Sequence, residues 1–191
     1  MEIAIVAFDD FTDIDVFLPW DLLNRVKERG WTVKIYGTKD FHRSVTGLTV
    51  PVHSKIDELG NADAILFASG PGTRKLYKDE NYLKRLKLNS SEQLIGSMCS
   101  GALIIAALGL LDGKTATTYP TAKKELEKFN VNVVEESFVV EGNIATAAGC
   151  LAAQDLVGWF IERLVSKKVR HAVLNSIQPV GQGLTFNKLL S

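Results

Sequence analysis

Short β-rich apolar runs alternate with longer helical runs along the whole chain, and this alternation constrains the fold more than any other feature. It predicts a strand over about 2–8, a helix over 14–29 stopped by Gly30, and a strand over 31–37. A hairpin is expected over 44–50, a buried strand over 64–68 and a charged amphipathic helix over 73–88. A second buried strand (94–98) leads into an apolar helix (100–108). A short strand (115–118), a helix (121–129) and strands over 131–134, 138–140 and 144–147 follow, the last two joined through Glu141-Gly142-Asn143. A long helix (151–167), a short one (169–174) and a tail rich in Gly and Gln end the pattern. Parallel strands need crossovers, and helices supply them, so the expectation is an α/β three-layer sandwich with a central, mostly parallel sheet. With no repeat, low-complexity tract or linker, 1–191 reads as one domain.

Composition then removes whole classes of function. Twenty-two basic and twenty-two acidic residues cancel, so no basic excess exists to neutralise a phosphate backbone and no nucleic-acid partner is expected. Leu94 to Leu111 carries no charge and approaches the length of a membrane span. Gly96, Ser97, Cys99, Ser100, Gly101 and Gly109 divide it into a strand and a short helix, so no membrane partner is expected either. Met1 to Phe8 shows neither a basic leader nor a cleavage site, which predicts a cytoplasmic protein and makes the sequon at Asn89 a chance match. Two cysteines cannot build a multi-bridge framework.

In open α/β sheets, ligands bind beyond the carboxyl ends of the strands. Five loops qualify: Asp9–Asp15, Ser69–Gly72, Cys99–Gly101, Tyr119–Pro120 and Ala148–Cys150. Cys99 carries the strongest signal. A buried strand runs into it, a helix follows directly, and small residues stand two positions away on either side, Ser97 and Gly101. That is the spacing of a nucleophile elbow, where bulky neighbours would collide. At a helix N-terminus the macrodipole favours thiolate, so a lowered Cys99 pKa is expected, with the Ser100 amide offered to an oxyanion. The alternative is a small buried core cysteine. Ser69-Gly70-Pro71-Gly72 either supplies a second oxyanion amide at Gly70 or is a plain strand–helix turn. It is not a dinucleotide fingerprint, because the third glycine is missing, and Gly109 to Thr115 has the wrong spacing for a phosphate loop.

An acid or base is less evident. His42, His53 and His171 are scattered and none follows a strand end, so neither a Cys-His pair nor a metal site is expected. Asp9 and Asp10 read as solvated turn residues and Asp13 as a helix N-cap. Asp15, between Ile14 and Val16, is either exposed by helix phase or buried; buried beside a thiolate, it would be a proton donor with a raised pKa. Cys150 reads as packing at a helix start, or as a resolving thiol for oxidised Cys99.

Phe8–Pro19, Ala68–Gly72, Ser97–Ala102, the run Ala107–Thr118 and Thr146–Gly149 together resemble the ThiJ/PfpI superfamily, with the flavodoxin-like fold of class I glutamine amidotransferases. Within it the chain looks most like the isonitrile hydratases and the sensor-like domains that precede AraC-type DNA-binding modules, though no helix-turn-helix follows the last helix here. The resemblance implies a Cys99 nucleophile, an Asp15 carboxyl bonded to its sulfur, an oxyanion pocket at Gly70 and Ser100, and a substrate pocket reaching Thr118 and Tyr119. It implies a lyase that hydrates a small-molecule isonitrile to a formamide without metal or organic cofactor, working as a homodimer. Alternatives within the superfamily are a cysteine redox sensor without turnover and glyoxalase- or deglycase-like chemistry on small aldehydes. Ser100 stands where the proteolytic branch has histidine, which argues against a peptidase. Ser69 replaces the first of two adjacent glycines, Phe17-Leu18 replaces a usual Thr-Gly, and Tyr119 stands where many members have histidine.

Overall fold

A computed structural model describes residues 1–184. Its strands, in chain order, are β1 (Glu2–Val6), β2 (Thr32–Gly37), β3 (Phe41–Arg43), β4 (Thr49–Pro51), β5 (Ser54–Lys55), β6 (Ala64–Phe67), β7 (Leu94–Met98), β8 (Lys114–Ala116), β9 (Val131–Val133), β10 (Phe138–Glu141) and β11 (Ile144–Ala147). Seven of them form one sheet in the order β10-β11-β7-β6-β1-β2-β5. Every neighbouring pair in it is parallel except β10 with β11. The helices are α1 (Asp13–Asn24), α2 (Thr73–Leu76), α3 (Glu80–Arg85), α4 (Ala102–Ala107), α5 (Lys123–Leu126), α6 (Ala153–Leu164) and α7 (Lys167–Asn175). α1 packs on α6 and α6 on α7, while α2 and α5 both pack on α4. These groups flank the sheet, giving the expected three-layer α/β sandwich.

β1 and β6 are buried along almost their whole length. Strands covered on both faces carry continuous apolar runs rather than alternation, which is why Ile3-Ala4-Ile5-Val6 and Ala64-Ile65-Leu66-Phe67 lack polar positions. The register sets the site. Val6 pairs with Phe67, Phe67 with Ser97, and Ser97 with Thr146, so β1, β6, β7 and β11 finish side by side. Connections from β1 to β2 and from β6 to β7 leave in opposite directions along the sheet, which opens a crevice between the ends of β1 and β6.

Several expected elements are shorter or divided. The 73–88 helix is split because the Asp79 side chain accepts from the amides of Asn81 and Tyr82 and starts α3 anew. Ser166 likewise accepts from the Val169 amide and separates α6 from α7, where 151–167 had been expected to run unbroken. α1 stops at Asn24 rather than 29, and Trp31 Nε1 donates to the terminal Leu23 carbonyl at 2.9 Å. The 44–50 hairpin is centred earlier than expected: its first strand, β3, precedes that range, and only Thr49 and Val50 of the range are in a strand, β4. Ser44–Leu48 forms the turn, closed by a 2.8 Å bond from the Ser44 amide to the Leu48 carbonyl. β8 and β9 form a separate two-stranded ribbon. β5 and the 3-10 turn Ile56–Asn61 were not anticipated. The predicted Gly- and Gln-rich tail runs past residue 184, outside the described residues. Among the described residues no helix is long and apolar enough to cross a membrane.

The tight β7–α4 connection depends on Gly101, where a Cβ would lie 2.7 Å from the Ala68 carbonyl oxygen and 2.8 Å from that of Phe67. Both are backbone atoms of the neighbouring strand end and cannot swing aside. Gly101→Ala should therefore lower stability by about 1–3 kcal/mol, the usual cost of overpacking. Gly60→Ala, whose Cβ finds its nearest backbone atom at 3.7 Å, should stay within about 0.5 kcal/mol of wild type. Urea midpoints measure both, and equal midpoints for the two variants contradict the steric account.

Candidate active site

At the end of β7 the chain turns sharply through Cys99, which takes φ +47°, in the left-handed region that L-residues avoid. A 3-10 turn over Cys99–Gly101 passes directly into α4. The Cys99 carbonyl is fixed from outside the turn, because the buried Thr118 hydroxyl donates to it at 2.8 Å. This is the strained strand-to-helix turn of a nucleophile elbow.

Asp15, the third residue of α1, is wholly buried, which decides between the two orientations left open by the sequence. Its Oδ2 accepts from the Ser69 hydroxyl, and its Oδ1 is buried with no hydrogen-bond partner. Thr12, not Asp13, is the N-cap position of α1, and Asp13 instead accepts from the Thr46 hydroxyl at 2.7 Å. Asp9 is tied to Lys39 at 2.5 Å and to His42 at 2.9 Å rather than simply solvated.

Loop 9–12 and loop 69–72 meet backbone to backbone. A Cβ on Gly70 would stand 2.2 Å from the Asp10 carbonyl oxygen, and the Thr12 amide donates to the Ser69 carbonyl at 2.7 Å. This contact brings Ser69 over Asp15. It also sets Gly70 beside Ser100, whose hydroxyl accepts from the Gly70 amide at 3.3 Å and from the Thr73 hydroxyl at 3.0 Å. The Gly70 amide expected to be free for an oxyanion is thus engaged by the Ser100 side chain.

A cavity of about 590 Å³ opens over these groups. Each of the five strand-end loops lines it, through Thr12, Ser69 to Pro71, Cys99 with Ser100, Tyr119 and Cys150. No histidine does so; His42 is buried against Asp9 and His53 stacks on Trp20. Tyr119 is half exposed at the rim. Thr118 lies behind the turn and lines a neighbouring cavity, so it positions Cys99 rather than facing the same space.

Cys150 was the residue least legible in the sequence. Its sulfur, the Cys99 sulfur and a carboxylate oxygen of Asp15 all lie within 4.8 Å of one another. The signal available was its position directly after a strand end, but packing explained that position equally well. Arg74 and Thr121 also line the cavity, with the guanidinium 3.5 Å from Glu125.

The electrostatics correct one expectation. Burial pushes the Cys99 thiol up to about 12; the Asp15 charge adds to this, and the Gly149 amide and Ser69 hydroxyl oppose it. Burial, then Asp15, likewise pushes Cys150 up to about 11. The lowered thiolate pKa predicted from the helix N-terminus is therefore reversed. α4 has only six residues, and its small dipole is outweighed by desolvation and a nearby carboxylate.

The DJ-1/PfpI family model matches residues 1–163. An isonitrile hydratase of Pseudomonas putida is 27% identical over 184 residues, covering 90% of this chain and 79% of that protein. A deglycase of Pyrococcus abyssi is 28% identical over 169 residues, 85% of this chain and 96% of the relative. Among solved structures, a ThiJ/PfpI family protein from Pseudomonas syringae superposes with a TM-score of 0.83 at 22% identity, over 94% of this chain and 76% of the other. DJ-1 of Schizosaccharomyces pombe gives 0.80 at 17%, over 94% and 100%.

The raised thiol sets a measurable pH dependence. Iodoacetamide alkylation of Cys99, followed by peptide mass spectrometry, should climb about tenfold per pH unit through pH 9 without a plateau, unlike a free thiol of pKa about 8.5. Asp15→Asn removes a negative charge that disfavours thiolate, so it should lower the Cys99 pKa and speed alkylation at a fixed pH. A plateau below pH 8 contradicts this electrostatic picture.

Proposed function

The chain belongs to the DJ-1/PfpI family, and we propose that within it the protein is a cysteine enzyme whose Cys99 thiol adds to a small electrophilic carbon, with isonitrile hydration as its reaction. The observation that carries this reading is the buried Asp15 carboxyl within 4.8 Å of the sulfur, beneath a cavity that no histidine lines. An isonitrile carbon must gain both a sulfur and a proton. A thiol held protonated by its surroundings, next to a carboxylate, supplies that combination.

In this mechanism the Cys99 sulfur attacks the terminal carbon of R–NC while its proton passes to Asp15. Asp15 delivers that proton to the same carbon, giving the thioimidate R–N=CH–S on Cys99. Water then adds to the thioimidate carbon with Asp15 as base, and the C–S bond breaks. The nitrogen takes a proton, R–NH–CHO departs and the thiol is restored. Overall, one isonitrile and one water become one formamide. Thr118 holds the Cys99 carbonyl through these steps, and Ser69 holds the carboxyl. The Ser100 amide, at the first turn of a helix and so without an intrahelical acceptor, is the donor offered to developing negative charge, since the Gly70 amide is engaged by the Ser100 hydroxyl. Tyr119 forms part of the rim that admits the small-molecule substrate.

Deglycase-like addition to an aldehyde is the second reading, favoured by the Pyrococcus relative. The same thiol would attack a carbonyl carbon, with Asp15 again handling the proton. We also propose a homodimer, as the resemblance implies; light scattering should return twice the mass of one chain, and a single-chain mass overturns it.

The deciding assay incubates the protein with a small alkyl isonitrile or with methylglyoxal and identifies products by mass spectrometry. Formamide should appear from the isonitrile. Cys99→Ala should abolish it, and Asp15→Asn should lower kcat by about 10²–10⁴-fold, the usual contribution of a general acid–base. Methylglyoxal consumption without formamide overturns the first reading in favour of the second.

A further inference from the structure

Three donor side chains from segments far apart in sequence converge at the cavity, Cys99 and Cys150 in its lining and Asp15 behind them. A carboxylate oxygen of Asp15 and the sulfurs of Cys99 and Cys150 lie within 4.8 Å of one another. Asp15 is wholly buried and Cys99 nearly so. Of the carboxylate oxygens, Oδ2 is satisfied by Ser69, whereas Oδ1 is buried without any partner. Arg74, the cation that lines the cavity, is bound to Glu125 and Thr121 instead of to this cluster. The cluster thus holds two thiols and a carboxyl group, with an orphaned acceptor and, among the described residues lining the cavity, no free cation to meet it.

We propose that Asp15, Cys99 and Cys150 form a binding site for a thiophilic divalent cation of the Zn²⁺ type, with its fourth position open to the cavity. The donor set decides the class of metal. Two sulfurs and one carboxylate suit a borderline-soft ion, whereas Mg²⁺ and Ca²⁺ require oxygen ligands. Bonds of about 2.3 Å to sulfur and 2.0–2.2 Å to oxygen put tetrahedral donors about 3.5–3.8 Å apart, and the three donor atoms here lie within 4.8 Å of one another. Three protein ligands with one open position make a site from which the ion exchanges. Its position behind the strand-end loops gives it an entry path through the cavity.

The charge balance favours the ion over two bare thiolates. On binding, each thiol loses its proton to solvent and forms a bond to the metal, so two protons are exchanged for one dication and the net charge inside the site is unchanged. A bound ion also ties up the Cys99 sulfur, so cation binding and addition to an electrophile exclude one another. The site does not depend on the proposed activity.

Reduced, metal-free protein titrated with Zn²⁺ in equilibrium dialysis should bind one ion per chain and release about two protons at neutral pH. Co²⁺ should give a thiolate-to-metal charge-transfer band, which needs no variant to interpret and falls by about half in Cys150→Ser as one of two sulfurs is removed. Cys150→Ser and Asp15→Asn should each weaken Zn²⁺ binding by at least about tenfold, since loss of outer partners alone costs 10–100-fold. Substoichiometric Zn²⁺, a cobalt spectrum without charge transfer, or unchanged affinity in Cys150→Ser overturns the site. Stoichiometric Zn²⁺ on a protein inert toward isonitriles supports the site and removes only the hydratase reading. Formamide turnover, inhibited in proportion to Zn²⁺ occupancy, supports both.

Discussion

Backbone against backbone at the ends of β1, β6 and β7 is the contact on which the site depends. At Gly70 there is no room for a side chain between the loop after β6 and the loop after β1, and at Gly101 none between the Cys99 turn and the end of β6. The Thr12–Ser69 backbone bond fastens the first pair. Because the strand ends are in register, this approach determines which side chains meet. Asp15, two residues beyond the start of α1, falls beneath Ser69, and Cys99 is held in a left-handed conformation beside them. The register of β11 with β7 then delivers Cys150 from the next strand end.

What this arrangement concentrates is acidity without compensation. A carboxyl group and two thiols share one buried region, and the nearest guanidinium is committed to Glu125. Many nucleophilic cysteines are activated by an adjacent imidazolium or by an exposed helix N-terminus. Here Ser100 follows the cysteine, its hydroxyl is engaged by Gly70 and Thr73, and the helix behind it has six residues. Desolvation therefore governs the thiol and keeps its proton in place. Chemistry at this sulfur has to move a proton together with the bond-forming step, and the Asp15 carboxyl group lies within reach to take it.

Much of the fold was legible because both faces of the central strands are covered. Such strands appear as largely apolar runs, and those at 3–6 and 64–67, together with the uncharged 94–98, stand out from their surroundings. Helix limits were less legible. Asp79 and Ser166 are ordinary capping residues, yet apolar periodicity continues across them, and only the tertiary path of the chain makes them boundaries. In the site, Cys99 and the five loops followed from local pattern and the strand-end rule. The proximity of Cys150 to Cys99 did not, because it depends on how β11 is placed beside β7. The direction of the thiol pKa is hidden from local sequence for the same reason. A helix terminus is visible in local sequence, whereas desolvation is a property of everything packed around the group.

Ser69 links these features into one argument. It occupies a position where the resembled family has glycine, and its hydroxyl binds one oxygen of Asp15. A glycine there would leave both oxygens competing for whatever donor approached. With Oδ2 engaged, the carboxyl plane is fixed and Oδ1 is left as a buried acceptor with nothing to accept. An unpaired buried acceptor is costly, so the state that satisfies it is favoured, whether a proton in transit from sulfur or a cation shared with the two thiols. The proposed reaction and the proposed cation site both call on this acceptor, and both require the Cys99 proton to leave. Under the two proposals a substrate that accepts that proton and a metal that replaces it are alternatives at a single sulfur, and the Ser69 bond fixes the carboxyl group that both would use.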